Sequence, residues 1–444
     1  MTGAEVVTGE SRRAVVTGES RRAVVTGESR RAVVTGESRR AVVTGMGVVA
    51  PTGIGTEAYW SATLDGKSGI DRITRFDPSS YPVRFAGEVR DFVGADQIPS
   101  RLRVQTDHWT HMGLKAAEMA LADAALDVTQ LPEYEMAVVT AASSGGAEFG
   151  QREIERLWSR GPRAVSAYQS IAWFYAATTG QISIRHGMRG PCGVLASEQA
   201  GGLDAVAQAR RLLRADARMA VTGGTDASLS PYGLVTQIPN GLLSRRDDPR
   251  RAYLPFDADA CGYVPGEGGA ILILESASAA SARGVDRPYG EIAGYAATFD
   301  PRPGSNREPG LRRAAELALD DARMTAADID VVFADAAGVP ELDRREAQAI
   351  TGIFGPYGVP VTAPKTMTGR LYGGGAALDL VAALLSIRDA VIPPTIGVTA
   401  PVPDDQLDLV LDRPREAPAR AALVLARGYG GFNAAMVVRA ADAQ

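Results

Sequence analysis

Two thiols and three imidazoles are the side chains of this 444-residue sequence best suited to nucleophilic or metal chemistry: Cys192, Cys261, His108, His111 and His186. A catalytic cysteine needs an accessible thiolate, normally beside a histidine or another cation. Neither cysteine has a histidine at such a spacing, and both read as buried free thiols in a chain large enough to fold without a disulfide. No His/Cys cluster has metal-ligand spacing, so no metal site is expected. Two glycine-rich stretches can gather backbone N–H groups. Gly428-Tyr429-Gly430-Gly431 can surround an anion or oxyanion, or simply turn the chain before its last strand. Gly45-Met46-Gly47-Val48-Val49-Ala50 loosely matches a dinucleotide fingerprint. Pro51 and Gly53 follow where that motif needs an unbroken helix, and no acid lies at the ribose-binding distance. The stretch predicts a tight structural turn.

The elements that must position such residues alternate. Val42-Val43, Met136–Thr140, Met219–Val221, Ala270–Leu274 and Val331–Phe333 are short apolar runs of strand type, with further strands near Leu423 and Val437. Between them, helical spacing predicts helices over 110–126, 199–213, 311–322, 343–353 and 375–388. This alternation implies an α/β fold with largely parallel sheets covered by helices. The series occurs twice, which implies two similar halves with a boundary near Pro288.

Composition bounds the rest. A hydrophobic fraction of 45% and a net charge of -5 describe an ordinary globular chain with no call for nucleic acid or an anionic membrane. No apolar run is long enough to cross a bilayer, and the N-terminus lacks the apolar stretch of a secretory signal, so a cytoplasmic protein is expected. Residues 1–38 are set apart by a nine-residue unit, Ala-Val-Val-Thr-Gly-Glu-Ser-Arg-Arg, which starts at Ala14, Ala23 and Ala32 after a variant copy at Glu5. Two valines and an alanine per unit do not offset the ordering of nine residues, so a disordered extension is expected.

Three stretches carry a resemblance. They are Pro255-Phe256-Asp257 through Gly262-Tyr263-Val264-Pro265-Gly266-Glu267-Gly268, then Pro364-Lys365-Thr366-Met367-Thr368-Gly369, then the turn at Tyr429 that ends in Phe432-Asn433. In this order and spacing the chain resembles the beta-ketoacyl synthases from residue 41 to its end. The resemblance implies a thiolase-like fold, two similar halves in a layered αβαβα sandwich, with ketosynthase-like halves at 39–288 and 289–444. Condensing members use an elbow cysteine, which takes the acyl chain as a thioester, and two histidines, which assist decarboxylation of malonyl groups. At the matching positions this chain has Gln199, Asp335 and Arg370. An amide cannot form the thioester, and an ionised Asp335 is expected to repel an enolate.

A glutamine at the elbow with both histidines replaced is similar to the chain length factor branch, the ketosynthase-beta subunits of aromatic type II polyketide synthases. The segment Trp158 to Gly193 supports this, notably Ser166-Ala167-Tyr168-Gln169-Ser170. The resemblance implies a heterodimer with an active ketosynthase-alpha subunit and an acyl carrier protein that holds the chain on phosphopantetheine. No cofactor is expected on this chain itself. It further implies an interface tunnel, with Ala147, Gly150 and Ile154 on one helical face as its expected wall. The alternative function is a malonyl-carrier-protein decarboxylase that supplies the acetyl starter. A homodimeric condensing enzyme and an unrelated α/β binding protein are further readings, which the missing reactive groups and the ordered motifs respectively oppose. Gln199 is expected either to mimic an acylated cysteine or to fill the old oxyanion site, hydrogen-bonded to the N–H groups of Gln199 and Tyr429. Lys365 and Glu267 are expected to hold the surrounding loops or to assist decarboxylation. Cys192, seven residues before the elbow, is given no substitute role.

Overall fold

The computed structural model describes residues 40–302 and 304–441, so the expectation for residues 1–38 lies outside the described residues. Strand β1 (Ala41–Ala50) continues through Gly45 and Gly47, with one shift of register between Val43 and Gly45. The turn predicted there is therefore a strand, for a reason that sequence proximity hides. Helix α1 (His108–Asp123) packs across β1. A side chain at Gly45 would collide with the Ala120 carbonyl, and one at Gly47 with the Ala116 carbonyl. These glycines let a helix backbone approach a strand backbone.

The first half continues with β2 (Met136–Ala141), β3 (Cys192–Leu195), β4 (Met219–Ala227) and β5 (Glu267–Ser276), arranged in space as β3-β2-β4-β5-β1. The second half has β6 (Gly290–Phe299), β7 (Val331–Phe333), β8 (Pro360–Thr362), β9 (Ala421–Gly428) and β10 (Phe432–Arg439), arranged as β8-β7-β9-β10-β6. Counted from the first strand of each half, the two orders are identical. The halves join where β1 meets β6 at Val42–Glu291 and Val43–Gly290. Pairing is parallel for β2 with β3 and β4, and for β7 with β8 and β9. It is antiparallel for β4–β5, β5–β1, β9–β10 and β10–β6. The largely parallel sheet expected from sequence is thus mixed: β9 turns straight into β10 through Tyr429-Gly430-Gly431, and the long connection from β4 to β5, which includes the helix Pro231–Gln237, brings the chain back antiparallel beside β4.

Helix α2 (Ala147–Arg160) follows β2, α3 (Gly201–Arg214) follows the elbow, α4 (Gly310–Ala322) and α5 (Pro340–Phe354) belong to the second half, and α6 (Gly375–Asp389) follows the Lys365 loop. Helix α6 is buried from Gly375 to Ser386, as its almost wholly apolar sequence requires. It packs on α3 and on strands of both halves, and the largest core cluster joins these layers. Helix α1 covers the outer face of the first half and α4 that of the second. The result is an αβαβα sandwich. Both cysteines are free and exposed, not buried: Cys192 opens edge strand β3, and Cys261 lies in the loop before β5. Among the described residues, no helix is long and apolar enough to cross a membrane.

Candidate active site

The chain leaves β3, bends through Ser197-Glu198-Gln199-Ala200 and enters α3. Glu198 sits at the bend with φ of 52°. This left-handed geometry costs a non-glycine residue about 1–2 kcal/mol, and glycine almost nothing. Its carboxylate accepts the Tyr429 N–H at 2.8 Å. Burial pushes the Glu198 carboxyl up, and nearby Arg370 opposes that shift. Gln199 is fully buried at the end of the bend. Its amide lies against the start of α6, where a side chain on Gly375 would collide with it. Neither amide atom of Gln199 has a hydrogen-bond partner. The expected bond between Gln199 and the Tyr429 N–H is therefore absent, because Glu198 takes that donor.

Asp335 lies just beyond β7, and Arg370 follows the Lys365 loop. Their side chains meet in a bidentate pair: Arg370 donates to both carboxylate oxygens at 3.0 and 3.1 Å, and to the carbonyls of Asp335 and Arg427 at 3.0 and 2.8 Å. Both are essentially excluded from solvent. The Arg427 N–H adds a bond to Asp335 at 2.8 Å, and the guanidinium of Arg370 stacks 5.4 Å from the ring centre of Tyr263. Burial pushes the Asp335 carboxyl up, but Arg370, Arg427 and Lys365 together hold it below the ordinary range. The structure thus corrects the sequence-level argument about charge. Asp335 does not project a free negative charge toward an enolate; Arg370 neutralises it, and the two residues occupy each other.

Carboxylates behind this pair hold the loop. Glu346 accepts the N–H groups of Asp335 and Ala336 at 2.6 and 2.8 Å, and Asp343 accepts those of Phe256 and Gly338 at 3.0 and 2.9 Å. Lys365 donates to the Ala334 carbonyl and pairs with Asp379 of α6 at 2.9 Å, both side chains being buried. Glu267 has a different set of partners. It is buried at the start of β5, accepts the Val89 N–H at 3.1 Å, and lies 3.6 Å from Arg75 and 3.5 Å from His108. The structure therefore brings Gln199, Asp335, Arg370 and Lys365 into one neighbourhood and gives Glu267 to another. His108 and His111 stand on the first turn of α1, and His186 ends the helix Ala177–His186, all outside the Asp335–Arg370 pair.

A cavity of about 350 Å³ opens above the pair, lined by Glu198, Tyr263, Asp335, Arg370, Arg427 and Phe432 among others. Its lining includes no cysteine and no histidine, and the Tyr429 N–H in the glycine turn is already engaged by Glu198. Among the described residues no group of three or more His, Cys, Asp or Glu side chains has the geometry to hold a metal. Sequence reasoning assigned no role to Glu198 or Arg427. The signal for Glu198 was a charged residue at an elbow that demands left-handed geometry; Arg427 gave none, because its role depends on β9 lying beside β7.

On the proposed tunnel helix, Ala147 and Gly150 are buried, whereas Ile154 is 47% exposed. Helix α2 has no side-chain cap of its own. Asp107, which caps α1, also accepts the Phe149 N–H at 2.6 Å and so fixes the first turn of α2.

The family pattern described as beta-ketoacyl synthase, N-terminal domain, matches residues 38–280, and that of the C-terminal domain matches residues 289–399. The chain is 62% identical over 395 residues to the tetracenomycin polyketide synthase ketoacyl synthase beta subunit of Streptomyces glaucescens, covering 89% of this chain and 97% of that one. It is 58% identical to the actinorhodin polyketide putative beta-ketoacyl synthase 2 of Streptomyces coelicolor, with the same coverage. Among solved structures it is similar to the ishigamide ketosynthase/chain length factor, at a TM-score of 0.82 and 28% identity, covering 91% of this chain and 99% of that one. It is equally similar, at a TM-score of 0.82 and 27% identity, to a chain from a type II acyl-carrier protein in complex with its ketosynthase bound to the hexaketide, covering 91% of this chain and all of that one.

Proposed function

The chain belongs to the beta-ketoacyl synthase family, and from that premise we propose that it is a non-condensing chain length factor, which pairs with an active ketosynthase and helps set the length of a polyketide. One observation carries the reading. On a ketosynthase scaffold, the position of the nucleophile is an amide, and the positions of the two histidines are a buried Asp335–Arg370 pair closed on itself. Such a site can hold its walls together, but it has neither the thiol that forms the thioester nor the imidazoles that serve the condensation. Decarboxylation is not favoured either. A stabilised enolate needs free donors aimed at its oxygen, and the Tyr429 N–H is taken by the Glu198 carboxylate.

Pairing is supported by the surface of the first half. Strand β3 is a sheet edge, and helix Ala177–His186 packs against it. Ile154, Trp158, Ile171, Trp173, Phe174, Tyr175 and Ile184 are large apolar residues exposed on this half. An open strand edge and exposed apolar side chains both favour a protein partner. The solved relatives combine a ketosynthase with a chain length factor or with an acyl carrier protein. In the same way, the substrate of this heterodimer is a chain carried on the phosphopantetheine of a carrier protein. The growing chain stops extending when its tip meets a wall, and Ala147, Gly150 and Ile154 of α2 mark the level of that wall.

Reconstitution tests the reading. The chain is combined with an active ketosynthase, a carrier protein and malonyl groups, and products are weighed. Polyketide is expected only when both subunits are present. Its length is expected to follow this chain when the subunit is exchanged for another chain length factor on a constant ketosynthase. Product length that follows the ketosynthase alone would overturn it.

A further inference from the structure

The N-terminal end of helix α2 presents two glycines on one face: Gly146, which precedes the helix, and Gly150, with Glu153 three residues further along the same face. The segment from Ser166 to Tyr175 lies against it. The Gly146 N–H donates to the Trp173 carbonyl at 3.1 Å, and the Ser166 N–H donates to Glu153 at 2.6 Å. A side chain at Gly146 would collide with the Ala172 carbonyl, and one at Gly145 would come within 2.7 Å of the Trp173 carbonyl. The backbone of Trp173 is therefore seated on the turn that opens α2. Its indole stands over Gly150: a Cβ added there would lie 3.1 Å from Cδ1 of Trp173 and 3.7 Å from Nε2 of Gln169. The ring occupies the space of the side chain that glycine lacks, and it is still 54% exposed. The line Ala147–Gly150–Ile154 is thus interrupted in its middle, where Trp173 covers Gly150.

We propose that Trp173 is a length-determining residue, which supplies the bulk met by a carrier-bound poly-β-keto chain at the level of Gly150. The inference rests on the chain-length reading above and adds a residue from outside α2. An indole is large and has only two side-chain torsions, so it makes a well-defined wall. Its backbone is anchored independently of its ring, so the ring can be trimmed while the segment stays in place. Gly150 acts through it. A β-carbon at 3.1 Å is closer than an ordinary van der Waals contact, so a side chain at Gly150 requires the indole to give way by a few tenths of an ångström, and a branched one requires more.

The test uses heterodimers assembled with the active ketosynthase, supplied with carrier protein and malonyl groups, and read by product mass. Trp173→Leu and Trp173→Ala are expected to lengthen the product by about one two-carbon unit or more, the second by at least as much as the first. Gly150→Val is expected to shorten it, and Gly150→Val combined with Trp173→Leu to return it toward the parent. Parental length from an assembled Trp173→Leu heterodimer would overturn the inference; so would lost yield without any change of length, the mark of a purely structural residue. Ala147→Phe keeps the two levels apart. If it shortens the product while the Trp173 variants do not alter it, the chain-length reading stands and the role of Trp173 falls. If no variant changes product length, both fall.

Discussion

Replacing Arg370 with methionine removes one half of a buried charge pair, and the structure fixes what should follow. Methionine fills much of the arginine volume without its donors, so Asp335 loses two hydrogen bonds to its carboxylate and one to its carbonyl. It keeps the Arg427 N–H and the Arg427 side chain at 3.5 Å. Breaking a buried pair by removing one partner costs about 3–5 kcal/mol, because a charge is left in a medium that cannot solvate it. The remaining Arg427 contacts place the expected loss near about 3 kcal/mol. Arg370→Met combined with Asp335→Asn leaves no charge to strand while preserving an acceptor for Arg427, and should recover much of the loss. The double-mutant coupling is expected at about 2–3 kcal/mol. The pH dependence has a definite sign. In the parent, Asp335 is held below its ordinary range, so its stabilisation is present above the unfolded carboxylate value and lost as pH falls through the folded one. In Arg370→Met burial dominates and the carboxyl rises, so the gap between parent and variant should be widest at neutral pH and should narrow toward about pH 4. Urea midpoints at fixed partner concentration measure all of this. A coupling below about 0.5 kcal/mol, or a gap that widens in acid, would refute the reasoning.

Other outcomes follow from the same geometry. Gln199→Cys alone should not restore condensation, since neither histidine returns; Glu198→Gly added to it should raise acylation of the new thiol, because it frees the Tyr429 N–H and relieves the strained bend, and adduct yield by intact mass decides. Asp107→Ala should cost about 1–3 kcal/mol by leaving the buried N–H of Phe149 without its acceptor. Burial pushes the Asp107 carboxyl up to about 6 from 3.8, so its contribution is greatest in acid and is lost as pH rises through that window; a parent-versus-variant pH series of denaturation midpoints should show that slope. A chain beginning at residue 39 should remain soluble and pair with the ketosynthase, since β1 starts at Ala41, and co-purification reads it.

The sequence made some features visible and hid others for physical reasons. Helices such as α1 and α6 were legible because apolar spacing is local. The strand through Gly45 and Gly47 was not, because those glycines answer to the backbone of α1, about seventy residues away. The antiparallel centre of the sheet was hidden as well, since alternation reveals crossovers but not strand direction. At the site, the three altered positions were legible through flanking motifs. That Asp335 and Arg370 neutralise one another was not, nor that Glu198 takes the Tyr429 N–H, because each depends on loops from separate parts of the chain meeting. The exposure of Cys192 follows from its place on an edge strand, which no local pattern marks.

The central claim is that this chain cannot carry the acyl group. Intact mass spectrometry of the heterodimer after incubation with acylated carrier protein tests it most directly, because each subunit is weighed separately. An acyl adduct is expected on the ketosynthase partner, with an unchanged mass for this chain. A covalent adduct on this chain, at Cys192 or at any other side chain, would contradict it.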